Sequence, residues 1–147
     1  RGTTVILHMM NEEDVQTVLR HPSTMIGSDG IPTLEGRPHP RLYNSFARVL
    51  GHYSREVGLF DLPTAIHRMT GFPARKFGLQ DRGVLTEGAF ADLDLFDESI
   101  VIDQGTFSDP NRYPVGIRQV FVNGRVAVDN DSVRQERHGR VLLRGQP

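Results

Sequence analysis

Asp29, within Met25-Ile26-Gly27-Ser28-Asp29-Gly30, is the carboxylate best placed for chemistry in this 147-residue chain. It stands where a short apolar run ends and a loop rich in Gly and Pro begins (Gly30, Pro32, Gly36, Pro38, Pro40). In α/β proteins the loops after strands carry the reacting groups, because the sheet fixes whatever projects from its carboxyl edge. A carboxylate there can move protons in acid–base catalysis. An isolated Asp-Gly reads equally as an Asx-type turn that ends the strand. His39 and Arg41 follow in the same loop. An arginine near a helix start can clamp a substrate carboxylate through its planar fork; spacing alone favours a solvated helix-terminal residue, narrowly.

The remaining histidines narrow the chemistry. His8 follows the first apolar run and faces the same loop edge, but a lone histidine without a partner at ligand spacing reads first as structural. His52 and His67 fall within helical patterns, and His138 lies in a polar segment. No His-x-His or His-Glu-x-x-His occurs, so no metal site is complete within the chain. Gly27-Ser28-Asp29-Gly30 is not the Gly-x-Ser-x-Gly nucleophile elbow, and glycine-rich phosphate loops are missing.

Positioning these groups requires a frame. Thr4-Val5-Ile6-Leu7 reads as a buried strand. Asn11 reads as a helix N-cap before Glu12, Glu13 and Asp14, with Val15, Val18 and Leu19 on one face and His21-Pro22 as the stop. Residues 24–27 form the next strand, giving a right-handed βαβ unit with parallel strands. Leu42, Phe46, Val49, Leu50 and Tyr53 predict a long helix ending before Gly58. A further helix starts at Pro63 and takes Gly71 as its C-terminal cap, and a short helical turn over 73–77 closes on Gly78.

From Gly83 onward the period changes. Residues 91–97 alternate apolar and acidic residues, as a half-exposed strand does. Val120-Phe121-Val122, Asn123-Gly124 and Arg125-Val126-Ala127-Val128 spell a hairpin on a type I′ turn. Residues 141–143 add a last strand. The chain divides near residue 80 into an α/β part (1–80) and a small all-β part (81–147).

Composition sets the outer limits. With net charge −1 and 24% charged residues there is no basic surface for nucleic acid or anionic membrane. No apolar run reaches membrane-spanning length, and the absence of Cys excludes a disulfide framework. The expected location is cytoplasmic. The chain opens on Arg1-Gly2-Thr3 and enters a strand at once, so a fragment of a longer protein is expected.

Three stretches together resemble the C-terminal part of the amidohydrolase superfamily, in its N-acyl-D-amino-acid deacylase (D-aminoacylase) branch. The first is Met25-Ile26-Gly27-Ser28-Asp29-Gly30 with His39-Pro40-Arg41-Leu42-Tyr43 and Arg48-Val49-Leu50-Gly51-His52-Tyr53. The second is Met69-Thr70-Gly71 with Pro73-Ala74 and Phe77-Gly78-Leu79. The third, common to amidohydrolases at large, runs from Gly83 to Leu93 and is reinforced by Val120-Phe121-Val122-Asn123-Gly124.

The resemblance implies a TIM-like barrel in which 4–7 is strand seven and 24–27 strand eight, with part of a small β-sandwich domain beside it. It implies zinc, with ligands upstream of this chain, and an N-acyl-D-amino acid as small-molecule substrate. Asp29 then takes a proton from the metal-bound water and passes it to the leaving amine. Arg41 binds the substrate α-carboxylate, and His39 is its weaker neighbour. With its metal ligands elsewhere, the isolated chain is expected to be inactive. Two other readings stand beside this one: another amidohydrolase (dihydropyrimidinase- or dipeptidase-like), or a non-catalytic fragment that self-associates.

Overall fold

The computed structural model describes residues 5–31, 36–130 and 132–143. Helices occupy the first half. Helix α1 spans Glu12–Arg20, and Asn11 caps it by accepting the Asp14 amide at 2.8 Å, with three acidic residues in the first turn where the helix dipole favours them. Its far end is sealed from outside: the buried Arg68 donates to the carbonyls of Leu19 and Arg20. Helix α2 (Arg41–Arg48) runs directly into a π-helical segment, Val49–Glu56. Helix α3 (Leu62–Met69) starts from Asp61, which accepts the Thr64 amide at 2.9 Å. Helix α4 (Gly71–Phe77) ends on Gly78, whose φ of 71° is the left-handed cap.

Among the described residues four antiparallel strands follow in the order β1-β2-β3-β4: Leu93–Phe96, Ile117–Val122, Arg125–Asp129 and Ser132–Val133. Asn123 and Gly124 take φ of 50° and 78°, as the expected type I′ hairpin requires. Strand β1 carries the alternating run, but Leu93 and Leu95 stay 38% and 55% exposed, because among the described residues nothing covers that face.

Several expectations need correction. Residues 5–7 and 24–27 form no ladder, and Val5 and Leu7 are 65% and 67% exposed; Thr4 lies outside the described residues. A parallel strand exists only through its neighbours, and among the described residues no strand lies beside either segment, so the βαβ unit is not formed. The last expected strand, 141–143, is likewise unpaired. Among the described residues there is one sheet, and no second sheet packs on it. Gly71 opens α4 instead of capping α3, with Thr70 as the joint between them. Val18 is 55% exposed, leaving Val15 and Leu19 to pack inward.

The helix over 41–56 has its expected length, but its second half is widened, as in the Val57 amide bond to the His52 carbonyl at 2.9 Å. Gly51 lies there against Val101 and Ile102, so close that a Cβ would strike the Val101 carbonyl oxygen. The core gathers at this seam. Ala47, Val49, Leu50, Tyr53 and Ala65 from the helices enclose Val101, which is 1% exposed. Burying that one side chain contributes about 1.5–3 kcal/mol.

Candidate active site

The loop carrying Asp29 is built on the first two turns of α2. Ser45 Oγ donates to the Ser28 carbonyl at 3.1 Å, and Ser28 Oγ accepts the Gly30 amide at 3.2 Å. Gly30 sits against Leu42, where a Cβ would come within 3.2 Å of its backbone. Asp29 itself adopts φ 47°, a left-handed conformation that Asp tolerates better than most residues. Its side chain is 80% exposed.

Arg41 holds this residue twice. Its Nε donates to the Asp29 carbonyl at 2.7 Å, and its Nη2 lies 3.0 Å from the Asp29 carboxylate. Asp29 and Arg41, joined only by inference in the sequence, are therefore one unit. His39 belongs beside them, its Nδ1 accepting the Arg41 amide at 3.1 Å. Partial burial, with the Arg41 charge and His8 adding to it, lowers the His39 pKa below 6.5, against an opposing pull from Asp29.

Two residues join the group that motif reasoning left outside. His8 meets the Phe107 ring edge-on at 4.5 Å, and His39 meets the same ring at 5.1 Å. For His8 the signal was its place on the loop edge. Phe107 comes from 97–116, the least diagnostic stretch of the chain, and carried no signal. Among the described residues no group of three or more His, Cys, Asp or Glu converges as a metal site.

Residues 3–128 match the amidohydrolase family. The chain belongs to that family. It is 50% identical over 139 residues to a D-aminoacylase of Alcaligenes xylosoxydans xylosoxydans, covering 95% of this chain and 28% of that protein. An N-acyl-D-aspartate deacylase of the same organism is 45% identical over 140 residues, with the same coverage. Among solved amidohydrolases, a D-aminoacylase crystal structure superposes with a TM-score of 0.89 at 51% identity, over 92% of this chain and 28% of its own. D-aminoacylase has also been described with a binuclear metal centre. The N-acyl-D-glutamate deacylase of Bordetella bronchiseptica, complexed with zinc and a phosphonate mimic of the tetrahedral intermediate, matches with a TM-score of 0.79 at 46% identity. It covers 85% of this chain and 27% of its own. The chain spans 28% of the length of the curated relatives it matches.

The fold matched is that of an α/β amidohydrolase. No helix among the described residues is long and apolar enough to cross a membrane.

Proposed function

We propose that this chain is the C-terminal portion of a zinc-dependent N-acyl-D-amino-acid deacylase, hydrolysing the amide bond of its substrate. Residues 1–80 contribute the last two strand regions of a (β/α) barrel, and 81–147 a small β-domain. The observation that carries this reading is the Asp29–Arg41 unit, in a chain 50% identical to a D-aminoacylase. The metal's ligands belong to other parts of the enzyme, and the roles below are those of this chain's own side chains.

Asp29 is the proton carrier. Its exposed carboxylate can take a proton from the attacking water and return it to the leaving amine nitrogen, so that one group serves as base and then acid. Arg41 fixes that carboxylate, and its fork has further N–H donors for the substrate α-carboxylate. His39, kept neutral by its surroundings near pH 7, adds no competing charge to that recognition.

The test is turnover by the full-length enzyme supplied with zinc. N-acetyl-D-amino acids should be hydrolysed and their L-enantiomers spared. Arg41→Ala should raise KM for free acids by roughly tenfold or more, the worth of a charge-assisted bidentate contact, with little change in KM for N-acetyl-D-amino acid amides, while kcat falls for both because Asp29 loses its partner. An equal rise in KM for acids and amides would remove Arg41 from α-carboxylate binding, and preference for L substrates would overturn the assignment as a whole.

A further inference from the structure

The segment from 103 to 113 leaves the β-part and crosses to the helical part. Its attachment is specific. Asn44, on α2 one turn beyond Arg41, is only 3% exposed and spends its side chain on this loop. Its Oδ1 accepts the Gln104 amide at 3.0 Å, while its Nδ2 donates to the carbonyls of Arg112 at 3.0 Å and Pro40 at 3.2 Å. Gly105 lies so close to the Asn44 amide group that a Cβ would collide with it. Arg48 adds an ion pair to Asp103 at 3.1 Å, and Tyr43 packs edge-on against Tyr113 at 5.4 Å.

Within the loop, Thr106 and Asp109 close a turn: the Thr106 amide bonds the Asp109 carbonyl, and the Asp109 amide bonds Thr106 Oγ1, both at 3.0 Å. Phe107 projects from that turn between His8 and His39. A buried polar clamp of this kind has full hydrogen-bond satisfaction and a defined geometry, which is what fixing a neighbouring group requires.

We propose that Phe107 is a positioning residue for the substrate loop. The Asn44 clamp delivers its ring from the β-part, and the ring edge contacts set the orientations of His39 and His8 at the mouth of the Asp29–Arg41 unit. The inference rests on the deacylase reading and extends it: the substrate cleft has one wall that comes from the small β-part. Phe107 is itself 49% exposed, so that wall presents an apolar aromatic surface beside a carboxylate clamp. Such a pairing suits a ligand with an ionised end and an apolar acyl or side-chain end.

The experiment is steady-state kinetics on the full-length zinc enzyme with an N-acetyl-D-amino acid. Because the ring is half exposed, Phe107→Ala should fold with an unchanged circular dichroism spectrum. It should raise KM roughly three- to tenfold, the range two edge-on aromatic contacts support, with kcat within about twofold of wild type. Phe107→Tyr, which keeps the ring edge, should restore KM, whereas Phe107→Leu should not. Asn44→Ala should reproduce the KM increase, and the double variant should add little to it. An unchanged KM in Phe107→Ala, or full rescue by Leu, overturns the proposal. Failure of the deacylase reading shows differently, as wild-type enzyme that does not hydrolyse the D substrate at all.

Discussion

Two of the arginine–aspartate pairs among the described residues, Arg41–Asp29 and Arg82–Asp92, are built for opposite ends. At the helical end Arg41 holds Asp29 across a loop, with the aspartate 80% exposed. At the β end Arg82, 7% exposed, donates to the Asp92 carboxylate and, at 2.7 Å, to Asn123 Oδ1. Its guanidinium lies 4.1 Å from the Phe90 ring centre. Asp92 in turn accepts the Asn123 amide at 2.8 Å, so the pair staples the hairpin turn to the segment before β1. The ion types are the same, but burial decides the use. A pair whose arginine is buried and whose carboxylate is bonded from two sides holds structure, while one whose carboxylate faces solvent is available for proton transfer.

This contrast can be broken experimentally. The largest effect belongs to the open pair. In the full-length enzyme, Asp29→Asn should lower kcat by about 100- to 10,000-fold, the usual worth of a general acid–base group, with Tm within a degree or two of wild type. Asn also tolerates the left-handed backbone at 29, so the change isolates the carboxylate. Retention of full kcat would end the catalytic assignment.

The enclosed pair should respond in stability. Arg82→Ala leaves Asp92 without its partner and should cost about 2–3 kcal/mol in denaturant unfolding, reduced from the fully buried case because Asp92 is partly exposed. Its kcat should stay near wild type in the folded fraction. A collapse of kcat at unchanged stability would erase the distinction between the pairs.

The smallest effect is electrostatic. Partial burial of His39, with Arg41 and His8 adding to it and Asp29 opposing, lowers its pKa, so its NMR titration, assigned by loss in His39→Gln, should have a midpoint below 6.5. The sign for stability follows: the unfolded chain takes the proton first, so the His39 contribution is present above pH 6.5 and fades as pH falls through the folded midpoint. A midpoint at or above 6.5 would show that the corner is more open than its geometry implies.

Features that a few neighbouring residues decide were legible in the sequence. Asn11 caps α1, Asn123-Gly124 makes the hairpin, Gly78 ends α4, and Arg41 through Glu56 is helical. Features that need a distant partner were not. Residues 5–7 and 24–27 have strand composition, but a strand is a relation between segments, and the described chain supplies no neighbour. The π-helical segment sets Gly51 against Val101, a partner about fifty residues on that nothing within 49–56 announces. Asn44 looks like an ordinary polar residue of a helix surface until the loop at 104–112 closes over it. Asp29 and Arg41 were found through motif context, whereas Phe107 reaches His8 and His39 only through the fold.

The close seam between Gly51 and Val101 also bears on the order in which the molecule assembles. Helix α2, helix α3 and the hairpin each rest on contacts between near neighbours in the chain and can form early. Seating Val101 against Gly51 must close a long stretch of intervening chain, and the entropy of that closure is lost before the core contacts repay it. Loop-closure entropy therefore predicts that the seam closes late in folding, and that the clamped loop beyond it, with Phe107, is seated after it.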